Sequence, residues 1–225
     1  VLRPLKNDST VMEFKITRKN IRTNPVPYYG MVKDSIGYLA LSSFTENSAK
    51  DFKKAFIELK QKGAKSLIID LRDNGGGSLS EAVDIVNLYV PKGQEIVMTK
   101  GKVRQAQGSY KTQNEPVDTQ IPLAVLVNGA TASASEIVSG SLQDLDRAVV
   151  IGSRTFGKGL VQTIRPLPYN GTLKVTTSKY YIPSGRCIQA IDYAKKNADG
   201  SVARTPDSLT TVFHTAAGRE VRDGG

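Results

Sequence analysis

Ser133 and Lys158 are the two side chains whose chemistry this chain sets apart. Both lie in NGATASASEIVSGSLQDLDRAVVIGSRTFGKGLVQ, residues 128–162, with the lysine 25 positions after the serine. Ser133 follows a run of small residues and, with Glu136 three positions on, has the S-x-x-E spacing of a helix N-cap. A helix start also points backbone N–H groups outward and favours negative charge, which suits an oxyanion beside a nucleophile. A nucleophilic serine needs a base. The only histidine, His214, stands far along in a polar tail, so the base is more readily a carboxylate or an amine. Lys158, between Gly157 and Gly159, reads on its own as a solvated turn lysine. To act as a base it needs burial or neighbouring positive charge to lower its pKa, and Phe156, Leu160 and Val161 are apolar neighbours. Gln162, four positions on in a strand-like run, falls on the same face as Lys158 and can hold its ammonium.

Three nearby features compete or contribute. Gly152 to Lys158 has the G-x4-G-K spacing of a phosphate-binding loop. However, residue 159 is Gly rather than Ser or Thr, and LVQTIRPL after it is strand-like and carries a proline. Asp73-Asn74-Gly75-Gly76-Gly77 is either a plain turn or a loop that presents a backbone N–H to an oxyanion. Asp144 lies about 16 Å from Ser133 along a helix axis, too far to touch the nucleophile. It either pairs with Arg147 or supports the lysine electrostatically.

The elements that must position these residues follow from periodicity. VMEFKITR, 11–18, alternates as a strand and precedes the turn-rich NIRTNPVP. YYGMVK and IGYLALSS flank a turn at Lys33–Ser35. Asn47 or Ser48 caps a helix striped by Ala49, Phe52, Ala55, Phe56 and Leu59 and ended by Gly63. SLIIDL, PLAVLV and RAVVIG read as strands buried on both faces. The first leads through the glycine loop into a helix with a Ser78/Glu81 capping box. The second leads into a helix over about Ala134 to Leu145. EIVMTK and KVRQAQ read as short exposed strands. LVQTIRPL and TLKVTTSKYYIP form a hairpin around Asn170-Gly171. The tail from Asp192 reads as polar and irregular, with a weak helical or extended stretch near SLTTVFHT. Strands alternating with helices indicate an α/β fold with added antiparallel strands.

The bulk numbers agree. A chain of 225 residues, 39% hydrophobic and 23% charged, is a globular domain, and no run of about 18 apolar residues calls for a transmembrane helix. VLRPLKND has no apolar signal-peptide core. A single cysteine, Cys187, excludes an internal disulfide and a cysteine metal site. The net charge of +10 implies a solvated basic surface that favours an anionic neighbour such as the cell envelope, without a motif for specific nucleic acid.

The run from Asn128 to Gln162, together with IIDLRDNGGGSLSEAVDIVNLYV and GYLALSSF, closely resembles the tail-specific, or carboxyl-terminal processing, peptidases of the S41 type. The resemblance covers roughly residues 28–190. It implies a crotonase-like spiral of β-β-α units and a serine endopeptidase that cleaves protein substrates at or near exposed C-terminal tails, without metal or cofactor. By the same resemblance Ser133 is the nucleophile, Lys158 the base, Gln162 the residue orienting it, and Asp144 an auxiliary residue. The oxyanion donors are the N–H of Ala134 and a glycine of the loop, taken as Gly76. The family places a PDZ domain ahead of the protease core, so residues 1–24 read as the last strand of such a domain and a linker, and 25–225 as the core. Export to the periplasm or envelope of a bacterium is implied, and the oligomeric state, homo-oligomer included, is left open. A peptide-binding module without catalysis and a crotonase-type acyl-CoA enzyme are the alternative readings.

Overall fold

The computed structural model describes residues 14–19 and 21–225. Its centre is a five-stranded sheet of Tyr28–Lys33 (β1), Ile36–Ala40 (β2), Ser66–Asp70 (β3), Leu123–Val127 (β6) and Ala148–Gly152 (β7), in the order β1-β2-β3-β6-β7. β1 and β2 are an antiparallel hairpin, and the rest of the sheet is parallel. Leu39, Ile69, Val125 and Val150 stand in register across it. The first three are fully buried against three helices, Ser48–Gln61 (α1), Leu79–Asn87 (α2) and Ala134–Asp144 (α3). Phe52, Phe56 and Leu59 of α1, Ile85 and Val86 of α2, Tyr89 just beyond it, and Ile137, Val138 and Leu142 of α3 fill that layer. Each apolar stripe buries about 1.5–3 kcal/mol per large side chain. No helix among the described residues is long and apolar enough to cross a membrane.

A second sheet holds Glu95–Gly101 (β4), Gly108–Lys111 (β5), Leu160–Pro166 (β8) and Thr172–Tyr181 (β9), in the order β5-β4-β9-β8. The β8–β9 hairpin is where Asn170-Gly171 predicts it, with Tyr169 and Asn170 both at positive φ. The chain closes with two small ribbons, Ile191–Lys196 (β10) with Val202–Arg204 (β11), and Val212–His214 (β12) with Glu220–Arg222 (β13).

Several expectations are corrected. Over 14–18 the chain forms no strand, and residues 11–13 lie outside the described residues. β4 is not an exposed strand: Ile96 and Val97 are both buried, because it pairs with β9 and lies against α3. KVRQAQ is a short 3-10 turn at Arg104–Ala106, and the strand follows at Gly108. β7 is an edge strand with Val149 and Ile151 about half exposed, not a strand buried on both faces. The tail holds β10 to β13, of which β12 lies in the SLTTVFHT stretch and the others fall where an irregular chain is expected. The cap of α1 comes from a distance: the Glu81 carboxylate accepts from Asn47 N at 3.0 Å and Ala49 N at 2.7 Å, and Asn47 makes no side-chain cap. Glu81 is thereby drawn away from the reciprocal half of its own capping box.

Candidate active site

The parallel strands deliver three loops to one end of the sheet, where open α/β sheets bind ligands. β3 runs into the glycine loop, β6 into the turn before α3, and β7 into the turn carrying Lys158. Asn74 stitches the first two together. It is fully buried, and its carbonyl accepts from Ala132 N at 3.0 Å and from Ser135 Oγ at 2.9 Å. Its side chain donates to the Leu41 carbonyl and accepts from Gly76 N at 2.9 Å. Beneath the loop Arg72 forks onto Asp70 at 3.0 and 2.6 Å, and Tyr38 donates to the same carboxylate. Burial pushes Asp70 upward, but the hydrogen bonds from Arg72 and Tyr38 outweigh it and leave the carboxyl below its ordinary range.

Ser133 is the half-buried residue at the entry to α3, with φ 58° and ψ −114°. That backbone is outside the regions an L-residue adopts without strain, and it costs about 1–3 kcal/mol. Gly76 lies against it. A Cβ on Gly76, whose φ is +95°, would come within 2.8 Å of Ser133 Cβ, 2.8 Å of Ala134 N and 2.6 Å of Ala132 O. Ser133, Ala134 and Gly76 therefore pack directly against one another. Gly76→Ala is expected to destabilise the fold by about 2–4 kcal/mol, through a clash with rigid backbone and a strained φ. Urea unfolding checks this, and an unchanged midpoint would mean that the loop yields.

Glu136 holds the other side, and sequence reasoning saw only half of its role. Its carboxylate accepts Ser133 N at 2.7 Å, the return bond that the S-x-x-E spacing predicts. The same carboxylate accepts Thr155 Oγ1 at 2.7 Å, Gly157 N at 2.6 Å and Lys158 N at 2.9 Å. One buried side chain thus ties the serine turn to the lysine turn. Burial raises the Glu136 pKa, with the hydrogen bonds from Thr155, Lys158, Ser133 and Gly157 pulling the other way. Gly157, at φ +81°, lets the lysine turn close on Ala190, whose Cβ would sit 2.2 Å from a Gly157 side chain.

Lys158 is exposed rather than buried by its apolar neighbours, and it lines one groove with Phe156, Leu160, Gln162 and Tyr193. Neither Ser133 nor Lys158 has a hydrogen bond to the other in this structure. Strand β8 follows Lys158 directly, which removes the helix a phosphate-binding loop requires. His214 is exposed in β12 opposite Glu220.

Asp144 is not brought to this site, and it does not pair with Arg147. Arg147 instead donates to the carbonyls of Tyr89 and Ile121. The Asp144 side chain is fully buried, 2.9 Å from Arg186 Nη2, and accepts from Ser184 N at 3.0 Å. It fastens the end of α3 to the segment after β9. Asp144→Ala should cost about 3–5 kcal/mol by leaving the buried Arg186 guanidinium without its counter-charge, held only by Gln143 and the Arg222 carbonyl. Chemical denaturation measures this, and a loss below about 1 kcal/mol would contradict a buried pair.

The mixed α/β sheet thus presents a strained serine, a glycine loop and a lysine turn at one end. The family model for peptidase family S41 matches residues 35–195, and the chain belongs to that family. It is 42% identical over 184 residues to a carboxy-terminal-processing protease of Bartonella bacilliformis, covering 80% of this chain and 42% of that protein. It is 32% identical over 215 residues to a chloroplastic C-terminal processing peptidase of Tetradesmus obliquus, covering 90% of this chain and 45% of the relative. Among solved structures it superposes on a photosystem II D1 C-terminal processing protease with a TM-score of 0.66 at 33% identity, over 77% of this chain and 47% of that one. The chain spans less than half the length of these relatives.

Proposed function

We propose that the protein carrying this chain is a serine endopeptidase that cleaves protein substrates at or near their C-terminal tails, with Ser133 as nucleophile and Lys158 as general base. The observation that carries the reading is the Ser133 backbone, held at φ 58° and ψ −114° at the start of α3 with Gly76 packed against it. A strained turn into a helix lifts a hydroxyl out of the surface and aims the N–H after it at a developing oxyanion, as in other serine hydrolases.

Once bound substrate covers the exposed Lys158 amine, it takes the Ser133 proton as Oγ attacks the scissile carbonyl. The lysine returns that proton to the departing amine, and then activates the water that releases the acyl group. Gln162 orients the lysine from its place in the same groove. Ala134 N–H and the glycine loop hold the oxyanion. The Gly76 N–H donates to Asn74 in this structure, so it turns from Asn74 to the substrate on binding. Substrate binding brings Lys158 Nζ to Ser133 Oγ, which share no hydrogen bond in this structure. Asp144 serves by anchoring α3. The peptide adds as a strand along the free edge of β8.

The β-β-α succession supports a crotonase-like spiral, with 25–225 as the protease core. The assignment of 1–24 to the end of a PDZ-like domain and a linker rests on the family resemblance alone. By the same resemblance the protein is exported. The test is turnover of an unstructured tail peptide by the full-length protein. Lys158→Met should remove it, and turnover at the wild-type rate in that variant would rule out lysine as base.

A further inference from the structure

The four-stranded sheet beside the candidate site is built from sequence almost empty of acid. Residues 147–191 contain no Asp or Glu but carry Arg147, Arg154, Lys158, Arg165, Lys174, Lys179 and Arg186. Residues 96–114 likewise lack acid and carry Lys100, Lys102, Arg104 and Lys111. The register places the charges. Lys100 of β4 pairs with Lys179 of β9, and Lys179 pairs with Leu160 of β8, so these three residues form one row on one face. Like charges directly opposite in a sheet are destabilising. Part of that repulsion is offset by the Lys100 ammonium resting 4.6 Å over the Tyr181 ring.

This row floors a groove lined by Lys100, Lys102, Val103, Leu160, Thr176 and Lys179, with no carboxylate in its lining. Leu160 and Thr176 also line the groove that holds Lys158 and Gln162, so the two run together. A peptide that leaves the β8 edge near Lys158 and crosses the sheet face over Leu160 meets the three ammonium groups of Lys100, Lys102 and Lys179.

We infer that this second groove is a specificity subsite for acidic side chains of the substrate, and that Lys100 and Lys179 set a preference for substrates with Asp or Glu a few residues from the scissile bond. The inference rests on the proposed peptidase site and adds its substrate class. A single peptide strand fits better than nucleic acid or a membrane, because the cations sit in a trough continuous with the lysine groove and the trough has no aromatic stacking residue in its lining.

The test is a binding measurement that does not depend on catalysis. The Ser133→Ala form of the full-length protein is titrated, by fluorescence anisotropy, with two labelled extended peptides identical except for two Glu or two Gln residues. At low salt the Glu peptide is expected to bind about fivefold to tenfold more tightly. The preference should disappear in Lys100→Gln/Lys179→Gln and fall in high salt, with affinity for the Gln peptide unchanged. Equal affinity for the two peptides overturns the inference, as does a preference that survives the double substitution. So does a single-stranded oligonucleotide that binds the same lysines in place of the Glu peptide. Acid-selective binding without peptide cleavage by the wild type would leave the subsite standing and defeat the peptidase reading instead.

Discussion

Ser133→Ala is expected to lower kcat/KM on an extended tail peptide by about ten-thousandfold or more while leaving fold stability nearly unchanged. The stability half follows from the backbone. Alanine keeps the Cβ that makes φ 58° and ψ −114° unfavourable, so the strain persists. Glycine adopts that conformation freely. Ser133→Gly should therefore be equally inactive but more stable than wild type by about 1–2 kcal/mol, because the strain held for the nucleophile is released. Urea unfolding of the three proteins measures both effects. A glycine variant less stable than alanine would mean that the serine conformation is not strained as described. Turnover by the alanine variant would move the nucleophile elsewhere.

Glu136→Ala should be the most damaging substitution outside the proposed reacting pair. Four donors converge on that carboxylate, and three are backbone N–H groups of Ser133, Gly157 and Lys158. Removing it strands them in a buried place at a cost of about 3–5 kcal/mol. It also frees the lysine turn from the serine turn, so activity should fall about a hundredfold in whatever fraction still folds. Glu136→Gln separates charge from shape, since an amide keeps the volume but offers one acceptor oxygen for the four donors. The carboxylate also has a pH signature. Its folded pKa is raised above the ordinary 4.5. As pH rises through the window that begins there, the unfolded chain gives up this proton before the folded chain does. Glu136 therefore takes stability away across that window, and its contribution is most favourable on the acid side. The wild type should lose stability relative to Glu136→Gln as pH rises out of the acid range. A constant difference between the two proteins would contradict the assignment.

Local patterns carried much of this architecture. The β6 run, the helix after Ser133 and the β8–β9 hairpin each have a signal confined to a few neighbouring residues. The glycine loop was legible because a continuous apolar strand ends at its start. What could not be read was pairing at a distance. The S-x-x-E spacing announced the Glu136 bond to Ser133, but not the bonds to Thr155, Gly157 and Lys158, which depend on how the β7 turn folds back. The spacing offers Asp144 either Arg147 or the lysine, but it meets Arg186, brought there by the strands between. β4 looked exposed because nothing in its own sequence announces its partner β9. The left-handed Ser133 backbone has no signature in a serine, although the small residues beside it mark the close approach of Gly76.

Covalent labelling asks whether Ser133 is a nucleophile activated by Lys158. The full-length protein is treated with a fluorophosphonate, and the modified residue is located by peptide mass spectrometry. An adduct on Ser133 is expected in the wild type and its loss in Lys158→Met, with that variant still folded. An adduct on another residue, or labelling of Ser133 at an undiminished rate without the lysine, would contradict it.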